Sequence, residues 1–348
     1  MIVRLLRHVT SDATMTRVIE PIVADADHER APVRGLGALA SALLACSGYA
    51  LLDGARRLPR VALAAALTCG AISLGLVGPA FAARQALWLL VGAVVMLLVA
   101  ALTPARRASG LAAVIGVAIM VATLVLGEPV AGATRWIVVG APVQPAELCK
   151  PLFLASVAAA MVRGRSFVAL GIASAFVVAI ALQPDRGLAV VYLAMLAAMG
   201  AAARRPGIAA VAVVGSVAAW LLVPSAAGVD APHTDAVLLE AARRIGPLAP
   251  AVITTTVAVL VGALALDARR AQSSTSTLLV GFGAAAGIAA QASVHGASTL
   301  LWIEPVNVAL PIISYGGSAI VGVLATLGLL ARSPAPDGAS DARPSAAA

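Results

Sequence analysis

Apolar segments about one bilayer long, joined by connections of only a few residues, recur along this chain and decide what it can fold into. A hydrocarbon core about 30 Å thick is crossed by roughly 20 helical residues rising 1.5 Å each. Breaks at Pro, Gly and Arg divide the apolar sequence into about eleven such runs, at 35–52, 61–82, 85–102, 109–127, 147–162, 167–182, 188–203, 208–223, 248–266, 278–294 and 320–331. Composition agrees: 61% of the 348 residues are hydrophobic and 11% are charged, against roughly 25% charged in a soluble domain. With so little loop sequence, the spans themselves must form the core. An all-α polytopic membrane protein of about 10–11 transmembrane helices is expected, with its main bundle at 61–332.

Around that bundle, residues 1–33 read as a polar N-terminal tail without the apolar centre of a signal peptide. Residues 34–60 read as an added apolar helix and basic loop, and 333–348 as a disordered tail rich in Ser, Pro and Ala. The formal charge of +8 does not indicate nucleic acid, because the Arg residues sit in short connections and no basic domain exists. The positive-inside rule accounts for them. It assigns 53–60, 103–107, 163–165, 204–205 and 267–270 to the cytoplasmic side, and 128–146, 183–187, 224–247 and 297–319 to the outer side. Most polar residues other than Arg fall in that outer set, so a site opening outward is expected. Cys46, Cys69 and Cys149 all lie in apolar runs and read as small buried hydrophobes without metal-ligand spacing.

Four stretches carry chemistry. In Gln144-Pro145-Ala146-Glu147-Leu148-Cys149-Lys150, Glu147 and Lys150 are three apart, so on a helix they share a face and can pair. A charge pair inside a span marks either a functional site or a bridge that fixes helix packing. Upstream lies Gly132-Ala133-Thr134-Arg135-Trp136-Ile137, where Arg135 and Trp136 suit a membrane interface. Gln183-Pro184-Asp185-Arg186-Gly187 reads on chemistry alone as a turn, with Pro fixing φ and Asp bonding its own backbone.

The third stretch, Pro232-His233-Thr234-Asp235, precedes Glu240 and Arg243-Arg244. Thr234 and Asp235 can begin a helix as cap and first-turn acid, and Glu240 can pair with either Arg as surface decoration. Equally, Asp235 at a membrane boundary under a cationic rim is placed to take a proton from a hydroxyl nucleophile, with the Arg pair holding a phosphate leaving group. The fourth is Leu310-Pro311-Ile312-Ile313-Ser314-Tyr315-Gly316-Gly317-Ser318, whose paired Gly permit close backbone approach or an unwound turn.

Taken in order, these stretches resemble the SEDS family (shape, elongation, division and sporulation), to which RodA, FtsW and SpoVE belong. The resemblance covers roughly 61–332. It implies a multi-pass protein of the bacterial inner membrane that polymerises lipid II, an undecaprenyl-linked disaccharide peptide, beside a class B penicillin-binding protein transpeptidase. It implies Asp235 as the catalytic residue and Arg135, Glu147, Lys150, Asp185, Ser314, Tyr315, Gly316 and Gly317 as substrate-binding candidates, to which the chemistry of the guanidinium group adds Arg243 and Arg244 as holders of the pyrophosphate. A divalent cation, Mg or Mn, is the one cofactor it leaves room for.

The chain departs from the family pattern in two places near Asp235. Its outer loop is shortened to 224–232, and Arg243-Arg244-Ile245-Gly246 stands where the family carries two acids before Leu-Gly. Two alternatives to a polymerase therefore remain: a scaffold or binder of the lipid-linked precursor, and a transporter. The sequence lacks the inverted repeats that would favour transport.

Overall fold

The structure, a computed structural model, describes residues 60–76, 79–102, 109–130, 133–139, 141–224, 237–270, 275–299, 306 and 308–331. The tails at 1–33 and 333–348, the apolar run at 35–52 and Asp235 lie outside the described residues.

Apolar runs become helices at the expected places. They are α1 (Arg60–Leu76), α2 (Pro79–Leu102), α3 (Ser109–Leu126), α4 (Pro145–Leu148), α5 (Lys150–Val162), α6 (Ser166–Ala181), α7 (Arg186–Ala202), α8 (Pro206–Leu222), α9 (Val237–Arg244), α10 (Ala249–Arg270), α11 (Thr275–Thr299) and α12 (Gly317–Ala331). Three helices are long and apolar enough to cross a membrane by length and composition, and seven more are apolar but shorter. These ten correspond to the ten runs expected between 61 and 331. The first boundary moves: α1 ends at Leu76 and α2 opens at Pro79, because a Pro lacks the N–H that a first-turn position leaves unpaired in any case.

The span expected at 147–162 is broken. A short α4 ends at Leu148 and α5 begins at Lys150 with Pro151 in its first turn. Pro151 cannot donate to the carbonyl of Glu147 and its ring crowds that oxygen. The carbonyl is met instead by the bare backbone of Gly322 on α12, where any Cβ would overlap it.

The outer connection after α3 is not a plain loop. It forms a three-stranded antiparallel sheet, β1 (Glu128–Val130), β2 (Ala133–Val139) and β3 (Ala141–Val143), in the order β1-β2-β3. Trp136 pairs with Glu128 across one edge of β2, and Ile137 with Val143 across the other. The bundle is thus all-α apart from this small sheet. Side chains alternate along a strand, and on β2 the alternation sends Arg135 inward to 3% exposure.

α7 and α11 pack against each other near the middle of the bundle, and α11 also meets α5, α10 and α12. Tyr192 of α7 stacks edge-on against Phe153 of α5 at 4.8 Å, and Phe153 meets Phe176 of α6 at 5.5 Å. The periphery is apolar too: Phe167 is 89% exposed and Leu222 79%. Large apolar side chains facing outward around a core that contains charges are what lipid, rather than water, as solvent selects. The protein is a multi-pass membrane protein.

At the end assigned to the cytoplasm, Arg205 bonds the Ser166 hydroxyl and the Met161 carbonyl. That guanidinium ties the α7–α8 turn to the α5–α6 turn. The polar groups with buried side-chain partners gather at the other end.

Candidate functional site

Asp185 sits where α7 begins. Its Oδ1 accepts the Leu188 N–H at 3.0 Å, the ordinary bond of a helix N-cap. Its Oδ2 accepts from Arg135 at 3.2 Å and from the Gln144 side-chain amide at 2.8 Å. The turn reading and the site reading of Asp185 are therefore both correct, one on each oxygen. Arg135 and Asp185 are each only 4% exposed as side chains, so the pair joins β2 to α7 in a setting with little screening by water.

A second cluster lies beside the first. Lys150 donates to Glu147 at 2.5 Å and to the Gln291 side-chain oxygen at 2.7 Å. Gln291 in turn donates to the Ala309 carbonyl at 2.8 Å and to Glu147 at 3.3 Å. The expected Glu147–Lys150 pair is present, and Gln291 completes it from α11. A single amide inside the apolar run 278–294 was the available signal, since a polar side chain in a span needs a partner. A small enclosed cavity of about 10 Å³ adjoins Lys150, Gln291 and Thr326, room for about one water.

Backbone contacts knit the two clusters together. Gln144 donates its N–H to the Ser318 hydroxyl at 2.8 Å, and Tyr192 donates to the Ala146 carbonyl at 2.6 Å. Thus α4, which carries Glu147, is held by α7 and α12 together.

The stretch 308–316 is non-helical yet buried, with Ile313 at 0% and Ser314 at 1% exposure. Irregular backbone at this depth is tolerated only inside protein. Ser314 accepts the Leu310 N–H on its hydroxyl at 2.7 Å, and Gln85 donates to its carbonyl at 3.4 Å. Gln85 also donates to the Ser73 hydroxyl. His295 bonds the Val308 carbonyl at 2.7 Å through Nδ1. Ile312 holds φ at 64°, a left-handed conformation that a β-branched residue adopts at a cost of about 1–3 kcal/mol. Tyr315 meets Phe81 edge-on at 5.3 Å. Gly316 precedes α12 and Gly317 opens it, and a Cβ on Gly317 would overlap the Trp88 indole.

Among the expected site residues, the structure brings Arg135 and Asp185 together, and Glu147 and Lys150 beside them. Ser314, Tyr315, Gly316 and Gly317 form the turn into α12. Arg243 and Arg244 fall elsewhere. They end α9, which packs on α1, α10 and α11. Arg244 pairs with Glu240 and donates to the Leu76 carbonyl at 3.2 Å, while Arg243 is exposed. The α9 helix docks by the end of α1, where Arg244 reaches the Leu76 carbonyl. Sequence reasoning did not single out Gln144, Gln291, Tyr192, His295 or Ser318 as site residues.

The divalent cation finds no holder among the described residues. No three His, Cys, Asp or Glu side chains come together, and the two buried carboxylates, Glu147 and Asp185, already face Lys150 and Arg135.

Fold and site define a class: a helical membrane bundle whose interior carries paired charges, tied by a buried irregular turn. A profile of the FtsW, RodA and SpoVE family, described as cell cycle protein, matches residues 57–228. The solved structure of the rod shape determining protein RodA from Thermus thermophilus superposes with a TM-score of 0.67 at 27% identity, covering 77% of this chain and 94% of that one. A point mutant of that RodA gives 0.67 at 26% identity with the same coverage. A chain from a structure described as structural coordination of polymerization and crosslinking by a peptidoglycan synthase complex gives 0.64 at 24% identity, over 78% of this chain and 95% of that one. No curated protein matches the sequence. Over residues 57–228 the chain matches the FtsW/RodA/SpoVE family model, and its bundle has the RodA fold.

Proposed function

We propose that this protein polymerises lipid II into glycan strands at the outer face of the bacterial inner membrane, beside a class B penicillin-binding protein transpeptidase. The observation that carries this reading is the buried Arg135–Asp185 pair packed next to the Glu147–Lys150–Gln291 triad in a RodA-like bundle. Three stretches far apart in sequence, 135–150, 185–188 and the middle of α11, converge to hold those charges, at the end where an outward-facing substrate would arrive. A solved relative from a peptidoglycan synthase complex supports pairing polymerisation with a crosslinking partner.

Asp235 is the proton acceptor in this reading. It takes the proton of a GlcNAc 4-hydroxyl on one substrate as that oxygen bonds to the anomeric carbon of the other. The bond from that carbon to undecaprenyl pyrophosphate breaks, and the pyrophosphate leaves with its electron pair. Arg135 supplies fixed positive charge near the leaving group. Asp185 and Gln144 hold that guanidinium in place, and Glu147–Lys150 fixes α4 beneath it.

The test is glycan synthesis from lipid II by purified full-length protein, alone and with its transpeptidase, alongside an active family member. Polymer made by the wild type and lost in Asp235→Ala at equal protein level is the expected result. Absence of polymer from the wild type, with the control active, removes the reading and leaves a scaffold.

A further inference from the structure

An apolar groove lies between α1 and the start of α10, away from the charge clusters. Its volume is about 360 Å³, within the range of small-ligand pockets of about 300–1,000 Å³. Ile72 and Ile253 line it, with Ile245, Pro247, Leu248 and Val252 around them. Ile253 is 2% exposed, whereas Leu248 is 77% and Val252 57% exposed. The groove thus has a packed floor and an open, lipid-facing side.

The mouth of this groove is charged. Arg244 donates to the carbonyl of Leu76, which lies one helical turn above Ile72 on α1. The guanidinium is therefore pinned over the groove's outer end, and Glu240 holds it from the other side. Arg243 beside it is exposed and has no ion pair among the described residues, so the last turn of α9 keeps net positive charge after Glu240 is counted. Directly after the pair the chain turns apolar, with Ile245 64% exposed, and Gly246 at φ +127° swings it into α10. Within one residue the surface changes from two guanidinium groups to a greasy trough.

We propose that this groove binds one anionic glycerophospholipid, its phosphate on Arg243 and Arg244 and part of one acyl chain against Ile72 and Ile253. The charge step selects the occupant. In a zwitterionic lipid the phosphate already has its own headgroup cation, which leaves the net charge of Arg243 unmatched, and an apolar helix of a partner would bury that charge without compensation. A phosphate diester beside two guanidinium groups matches it. The site is separate from the charges assigned to catalysis above, so it stands or falls independently of the polymerase reading. Its role is to brace α9, the helix that follows Asp235 in sequence, against α1 and α10.

Lipid binding to the full-length protein in detergent, followed by native mass spectrometry and by thermal unfolding, tests this with phosphatidylglycerol, phosphatidylcholine and undecaprenyl pyrophosphate as probes. Each Arg near an anionic headgroup strengthens binding about fivefold, so phosphatidylglycerol is expected to bind about 25-fold more tightly than phosphatidylcholine. Arg243→Gln breaks no described bond and should cut that preference about fivefold. Arg243→Gln with Arg244→Gln should abolish it. Val252→Trp, which fills the open side, should weaken both phospholipids. Equal binding of the two phospholipids, or a preference untouched by Arg243→Gln, overturns the proposal. So does displacement of phosphatidylglycerol by undecaprenyl pyrophosphate in an Arg243-dependent way, which assigns the groove to the isoprenoid.

Discussion

Asp185 meets two structural demands at once, with Oδ1 starting α7 and Oδ2 facing Arg135. The two can be separated by substitution. Asp185→Asn keeps an N-cap, because Asn caps about as well as Asp, but leaves the Arg135 guanidinium buried without its counter-charge. Breaking a buried pair from one side costs about 3–5 kcal/mol. Asp185→Asn should therefore lower thermal stability in detergent, and adding Arg135→Met should restore most of it while polymerisation stays lost. A double variant no more stable than the single one would show that the pair is not what holds β2 to α7. Gln291→Leu makes a second case: it strips an acceptor from Lys150 and a donor from the Ala309 carbonyl, each unmet group costing about 1–3 kcal/mol. A loss comparable to that of Asp185→Asn is expected in the same melt. The Glu147–Lys150 pair was legible because three-residue spacing fixes a shared helix face. The partnership of Asp185 with Arg135 was not, because nothing local says which residue 50 positions away will arrive.

At the scale of elements, the broken α4–α5 span and the start of α12 shape the site. Pro151 frees the Glu147 carbonyl, and Gly322 lets α12 approach it without a side chain between. Gly322→Val places branched carbon where that oxygen already sits, an overpacking cost of about 1–3 kcal/mol or more. The variant should reach the membrane in reduced folded amount, measured by monodispersity after extraction. Gly262→Ala is the control, since a Cβ at that α10 position meets nothing within 4 Å; it should behave as wild type. Equal tolerance of both would remove the close approach as a determinant of the fold. Helices were readable because a bilayer imposes a length and an apolar filling that few other structures need. The three-stranded sheet escaped notice because strands of three to seven residues leave too short an alternation to recognise. The break at 149 follows from Pro151, a residue equally at home in the first turn of a helix, so the sequence alone did not require an interruption there.

For the whole molecule, the distribution of polarity assigns a direction. Arg205, Ser166 and Met161 join the turns at one end, while Arg135, Asp185, Gln144 and Ser318 join elements at the other. By the positive-inside rule the first end faces the cytoplasm, and the proposed substrate meets the second. Thiol labelling reads this directly. Cys69 and Cys149 are buried and free, so with Cys46→Ser in the background only an introduced cysteine should react. Glu128 on β1 is exposed at the outer end, and Gly207 in the first turn of α8 is exposed at the inner end with no atom within 4 Å of a built Cβ. In intact spheroplasts a membrane-impermeant maleimide should modify Glu128→Cys and leave Gly207→Cys untouched; after the membrane is opened both should react. The reverse pattern would turn the molecule over. It would also place the charge clusters on the cytoplasmic side, where lipid II polymerisation at the outer face has no use for them.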